Sequence, residues 1–230
     1  ARAGAIGFLG VDSEMTGCTF ANTQIEVNGT LDTGSSYLGG VVAHVQSSNT
    51  AFAGVAENGI ATKVDDITIT SSTVNVTGNV TKESYIGSAF GRLEGNVGSA
   101  TVAPQHVLAS NITASTMAVT FGTNETPADV AAVKAGLVGN ALNYVTVDTW
   151  NITTSNVTLN GTIATTAGYL GGVIGQVSSA QSLASGTDFT NISAVTLGTS
   201  TVTVTGNITK DSHIGSIFGR VEGTAGNAPN

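Results

Sequence analysis

The stretch TGNVTKESYIGSAFGRLEG (Thr77 to Gly95) returns 128 residues later as TGNITKDSHIGSIFGRVEG (Thr205 to Gly223), identical at 14 of 19 positions. VNGTLDTGSSYLGGVVAHV (Val27 to Val45) returns in the same way as LNGTIATTAGYLGGVIGQV (Leu159 to Val177), at an offset of 132. A catalytic centre is needed once per domain. Near-verbatim return of whole stretches therefore marks either a structural unit that stacks on copies of itself or a duplicated binding element. The halves read as tandem duplicates: one repeat domain over residues 1–230, made of two half-units at about 1–100 and 130–230 joined by 101–129.

A smaller theme recurs inside each half, a short segment of two apolar residues bounded by glycine or another small residue. It occurs as GFLG (Gly7 to Gly10), GVVA (Gly40 to Ala43), SAFG (Ser88 to Gly91), GLVG (Gly136 to Gly139), GVIG (Gly172 to Gly175) and SIFG (Ser216 to Gly219). The spacing of these six modules varies between 33 and 48 residues, the range of solenoids, propellers and arrays. Between them the apolar period is two. In STVNVTGNVT, Thr73, Asn75, Thr77, Asn79 and Thr81 share one face and Val74, Val76 and Val80 the other, the pattern of a half-buried strand. The same alternation points Val157 and Leu159 inward. Glycine weakens a strand and is kept where the chain bends or backbones approach closely, which stacked turns require at every corner. One stretch, TPADVAAVKAGLV (Thr126 to Val138), reads either as a short helix opened by Pro127 or as a loop feeding a strand.

These patterns predict an all-β chain, a parallel β-helix or β-solenoid of tandem glycine-rich modules, with Val, Ile, Leu and Phe inside and Thr, Asn and Ser outside. The architectural rival is a pair of β-sandwich domains, one per half-unit, linked by strand exchange. Composition narrows the function classes. Charged residues make up only 10% of the chain, and Lys plus Arg number seven against a net charge of -8, so the basic footprint of nucleic-acid binding is missing. No apolar run reaches the ~18 residues that span a bilayer, so no membrane insertion is expected. The single cysteine, Cys18, has no intramolecular partner and reads as a small buried hydrophobe. No signal peptide is visible in the opening ARAGAIGFLG, which fits a processed chain or a fragment of a longer one.

AGLVGN, YLGGVIGQV and HIGSIFGRVEG, set among V-x-V-x-G strands, resemble the GLUG-type glycine-rich repeats of large secreted and cell-surface proteins. Ala43 in place of the final glycine, and Ser88 and Ser216 in place of the first, depart from that pattern. The resemblance implies a parallel β-helical stalk in an adhesin-like or surface-layer molecule and brings no catalytic residues with it.

Ten Asn-x-Ser/Thr sequons occur, at Asn28, Asn75, Asn79, Asn111, Asn124, Asn151, Asn156, Asn160, Asn191 and Asn207. In a strand, Asn and the Thr two residues on share a face, and here that is the face opposite the Val side, as a glycan acceptor requires. Two pairs spaced i, i+2, Arg92 with Glu94 and Arg220 with Glu222, occupy matching places in the halves and read as solvated salt bridges or inter-module ion pairs. Asp65 and Asp66 are adjacent, and strand geometry predicts that they project to opposite faces, which is wrong for a carboxylate acid–base pair. His44, His106 and His213 are isolated, with no metal-site spacing, and His213 stands where the first half has Tyr85. Trp150, the only tryptophan, reads as a core or edge residue rather than a sugar platform. No phosphate loop, nucleophile elbow or hydride-cofactor fingerprint is found, so neither enzymatic activity nor a cofactor or metal is expected.

The functional expectation is an extracellular structural protein: a subunit or stalk segment of a glycosylated fibre or surface layer that self-associates head to tail. Both ends open directly on module segments, GAIGFLG at one and SIFGRVEG at the other, which suits such stacking. The alternative is a carbohydrate- or cell-binding adhesin domain using the Thr/Asn face or the inter-module loops.

Overall fold

The computed structural model describes residues 1–10, 13–32, 34–47, 60–96, 105–164, 166–179 and 190–223. Within them the chain makes successive passes over the same ground. The first holds β1 (Arg2–Ala3), β2 (Ile6–Gly10), β3 (Glu14–Thr16), β4 (Thr19–Phe20) and β5 (Thr23–Val27). The second holds β6 (Ser36–Gly39), β7 (Val42–Gln46), β8 (Ile60–Ile69) and β9 (Ser72–Val76). The third holds β10 (Ser84–Glu94), β11 (His106–Ala114), β12 (Met117–Phe121) and β13 (Ala128–Val130). The fourth holds β14 (Val133–Leu142), β15 (Val145–Leu159) and β16 (Gly161–Ile163). The fifth holds β17 (Tyr169–Gly171), β18 (Ile174–Ser179), β19 (Asn191–Ile192) and β20 (Val195–Val204), and the sixth β21 (His213–Gly215) and β22 (Phe218–Gly223). The described residues contain no helix.

Every ladder between named strands is parallel, and each strand pairs with its counterpart in the passes before and after. The first sheet runs β1-β6-β10-β14-β17-β21, with β2, β7, β18 and β22 extending the same rungs. The second runs β3-β8-β11-β15 at one end and β5-β9-β12-β15-β20 at the other. A third, short row joins Leu31, Val80, Val130, Ile163 and Ile208 through β13, β16 and isolated bridges. Parallel pairing of all the named strands removes the β-sandwich alternative, whose sheets are antiparallel and whose halves would be separate. Here β11 and β12, inside the stretch 101–129 that separates the half-units, are interior strands flanked on both sides.

The module segments align across the first sheet, where Val42, Phe90, Val138, Ile174 and Phe218 occupy one row. The first pass differs from the sequence reading. Ile6, not Leu9, pairs with Val42, so the first module is Gly4 to Gly7, three residues before GFLG. Phe8 then falls beside His44, on the row that continues through Arg92, Asn140, Gln176 and Arg220. The first pass holds Ala3 in the column that is glycine in the later passes, where there is no room for a Cβ. A Cβ on Gly87 would enter the van der Waals envelope of the Phe90 carbonyl oxygen, and the same close approach holds at Gly39, Gly171 and Gly215.

The second sheet bends at a column of left-handed residues, one in each of five passes: Gly17 (φ 64°), Asp66 (54°), Asn111 (51°), Thr149 (55°) and Ala194 (49°). Such a residue interrupts the inside–outside alternation. Val64 and Ile67 are both buried, and Asp65 and Asp66 both lie outside the core, which corrects the expectation of opposite faces. The Thr126 to Val138 stretch is also corrected. It forms β13 and β14 with a left-handed Ala132 (φ 51°) between them. Gly136 would cost a helix about 1 kcal/mol, whereas as strands the stretch bonds to neighbouring passes on both sides.

The core fills the space between the sheets as two clusters. One is centred on Phe90, Trp150, Ile67 and Leu93, the other on Phe121, Leu38, Ile86 and Leu159. Val74, Val76, Val80, Val157 and Leu159 are all at most 1% exposed, as the alternation predicts. Between the clusters, serines of the second sheet reach carbonyls of the first: Ser72 donates to Ser88 O, Ser155 to Gly172 O and Ser200 to Ser216 O. Burying a hydroxyl is tolerable when it is bonded, and these three bonds, from the second, fourth and fifth passes, tie the sheets together at the waist.

Candidate functional site

The outer face of the first sheet carries the densest polar chemistry. Its first row is Tyr37, Tyr85, Lys134, Tyr169 and His213, in register on successive passes. Tyr37 stacks on Tyr85 at 5.4 Å, and the Lys134 ammonium lies 5.0 Å from the Tyr85 ring centre and 5.9 Å from that of Tyr169. His213 packs against Tyr169 at 5.4 Å, so it does take the place of Tyr85 in the second half. The next row supplies Arg92, 4.9 Å from the Tyr85 ring centre, and Arg220, 5.0 Å from that of Tyr169.

Both predicted Arg/Glu pairs form, each within a single strand: Arg92 to Glu94 at 3.0 Å and Arg220 to Glu222 at 2.9 Å. The links between passes come from their other contacts. Arg92 donates to the Tyr37 hydroxyl and Arg220 to that of Tyr169, while Glu94 meets His44 Nε2 at 2.9 Å. The side chains of Arg92 and Glu94 are 12% and 19% exposed, so the first-half pair is sheltered rather than solvated. His44 also stacks on Tyr37 with ring centres 4.6 Å apart. Sequence reasoning missed this ladder, although the repeated YLGG at Tyr37 and Tyr169 was its visible trace.

Electrostatics here serve cohesion. Glu83 contacts Lys134; burial pushes its carboxyl up, but the Lys134 ammonium and the hydrogen bond with Tyr85 outweigh that and hold it below its ordinary 4.5. Burial, aided by the Glu83 carboxylate, pushes the Tyr85 phenol well up. On the other sheet Asp65 is held below its ordinary 3.8 mainly by the Ser110 hydroxyl, with Asn111 and Lys63 adding to it against desolvation. An acid–base pair needs one carboxyl raised towards neutrality, and neither of these carboxyls is. Among the described residues no group of three His, Cys, Asp or Glu side chains converges as a metal site would require.

Trp150 lies in the core, 1% exposed, donating to Ala109 O at 2.8 Å. Cys18 is half-buried against the first core cluster, in no disulfide, its thiol donating to Thr16 O at 3.4 Å. His106 packs edge-on against Tyr144, away from His44 and His213 in the register.

The sequons separate by environment. Asn28, Asn79, Asn111, Asn124, Asn151, Asn191 and Asn207 are exposed, whereas Asn75, Asn156 and Asn160 are half-buried. Two amides are already committed, Asn111 Nδ2 to Asp65 and Asn160 Nδ2 to Gly122 O.

No protein-family model matches this chain, and no curated protein and no solved structure matches it.

Proposed function

We propose that this chain is a structural segment of an extracellular fibre or surface layer. In this reading it is a parallel β-solenoid of GLUG-like modules, glycosylated, without catalysis, that self-associates through its ends. One observation carries the proposal. Core positions that inner passes close are open at the sixth. Leu38, Ile86 and Leu170 are at most 1% exposed, but their equivalent Ile214 is 39% exposed; Val45 and Leu93 are 0% exposed, but Val221 is 65% exposed. Ile217 and Ile208 are open in the same way.

An array in which each pass buries its apolar face only against its neighbours has an open edge wherever passes stop. The occupant that suits this edge is another copy of the chain. The sixth pass repeats the third (Ile86 as Ile214, Phe90 as Phe218, Arg92 as Arg220), and the third is covered by the fourth, whose place in its half-unit the first pass holds. The contact between β10 and β14 is thus an internal template for β22 meeting β2 of the next copy. Among the described residues the sixth pass lies on the first sheet alone, so the proposed contact is written for that sheet. A heterologous contact of this kind does not close and gives a filament.

Electron microscopy and sedimentation of the full chain across a concentration series test this. Filaments or a head-to-tail ladder are expected, and Val221→Lys with Ile217→Lys should abolish them. A chain that stays monomeric at high concentration would overturn the proposal.

A further inference from the structure

One corner of the molecule carries a sequon in every one of five passes. Val27, Val76, Phe121, Leu159 and Val204 align at the end of the second sheet, and Leu31, Val80, Val130, Ile163 and Ile208 align in the third row. The turn between these two rows contains Asn28 in the first pass, Asn79 in the second, Asn124 in the third, Asn160 in the fourth and Asn207 in the fifth.

The corner amides are not equivalent. Asn160 is half-buried and its Nδ2 donates to Gly122 O. The Asn124 sequon is folded into a tight turn closed from both sides by Thr123 and Thr126; the sequon hydroxyls of Asn79 and Asn207, on Thr81 and Thr209, are bonded too, to Leu31 O and to Ile163 O and Ala164 O, so the closed turn and not the hydroxyl sets Asn124 apart. Asn28 and Asn79 are exposed, and their oxygens accept from the Thr77 hydroxyl and the Asp129 N–H, while among the described residues their Nδ2 groups have no acceptor. Asn207 is exposed as well. Elsewhere, Asn75, Asn151 and Asn156 lie within the second sheet with strands about 4.8 Å away on both sides, which crowds the base of a branched sugar more than a corner turn does.

We infer that Asn28, Asn79 and Asn207 are the N-glycan acceptors, and that the oligosaccharides form a spine along this corner. Asn28 and Asn79 occupy neighbouring passes, but Asn79 aligns with Thr30, two residues beyond Asn28, so their sugars are staggered. In the reaction the carboxamide nitrogen bonds to the anomeric carbon of an oligosaccharide carried on a polyprenyl diphosphate. The anomeric carbon–oxygen bond to phosphate breaks, the diphosphate leaves with its electron pair, and the amide proton passes to a base of the transferring enzyme.

The inference rests on the extracellular reading above only for its compartment. Its test is peptide mapping by mass spectrometry, before and after endoglycosidase, of the full chain translated into microsomes or secreted from a eukaryotic host. Occupancy at Asn28, Asn79 and Asn207 is expected, with Asn75, Asn111, Asn156 and Asn160 unmodified, and the triple variant Asn28→Gln, Asn79→Gln, Asn207→Gln should lose most of the added mass. A chain carrying no glycan, or glycans concentrated on Asn75, Asn151 and Asn156, would overturn it. Filament formation is read separately: an unglycosylated triple variant that still assembles leaves the fibre proposal standing, and a glycosylated chain that never assembles removes only the fibre.

Discussion

Trp150 shows how a single side chain is used in this molecule. Its ring fills the first core cluster beside Phe90, 6.2 Å between centres, and its indole N–H bonds the Ala109 carbonyl of the pass below. Truncation to alanine removes both the volume and the bond, and should cost about 3–5 kcal/mol, measured by denaturant unfolding. Charged residues give a different signature. Asp65 and Glu83 have folded pKa values below their ordinary 3.8 and 4.5. Their contribution to stability is therefore complete above those ordinary values and is lost as pH falls through the lower folded ones. The melting temperature should drop below about pH 4, and Asp65→Asn should flatten part of that acid slope. A melting temperature that stays level down to pH 2 would remove these carboxylates from the account.

At the scale of elements, the strands owe their inside–outside pattern to period-two Val/Thr alternation and their bends to two kinds of residue. Glycine holds the turn of the first sheet in the inner passes, because a Cβ on Gly87 would overlap the Phe90 carbonyl oxygen. Gly87→Ala should destabilise by about 1–3 kcal/mol through overpacking, whereas Gly7→Ala, where a Cβ meets nothing within 4 Å, should be near neutral. Thermal melts of the pair decide this. The bends of the second sheet were not legible in the sequence, because Gly17, Asp66, Asn111, Thr149 and Ala194 share no residue type. Only their register reveals them as one column. The stretch 126–138 misled for a related reason: Val130, Val133 and Leu137 satisfy a helical spacing locally, and the pairing of β14 with β10, β17 and β18 overrides it.

For the whole molecule, the duplication acquires a physical meaning. Pass three meets pass four through Tyr85 beside Lys134 and Phe90 beside Val138, and the sixth pass presents the same rows with His213, Phe218 and Arg220 uncovered by any described strand. If the internal contact is the template for the external one, charge reversal at the ladder should act on assembly before it acts on folding. Arg220→Glu sets a carboxylate beside Glu222, and should weaken filament formation while leaving the circular dichroism spectrum unchanged. Equal loss of both signals would mean that Arg220 serves only the fold of its own pass.

The sequence alone determined that the chain is β-rich, repetitive and poor in charge, because strand alternation, glycine punctuation and near-identical stretches are local properties that a linear reading registers. It also singled out the Arg92/Glu94 and Arg220/Glu222 pairs, which need only the two-residue period of one strand. Tertiary structure alone decided which residues of different passes share a row. That pairing put Ile6 opposite Val42, built the ladder of Tyr37, Tyr85, Lys134 and Tyr169, and gathered Asn28, Asn79, Asn124, Asn160 and Asn207 on one corner. The passes differ in length, so no fixed sequence period connects the members of a row. Inter-strand hydrogen bonding sets the register, and register is a property of the assembled sheet.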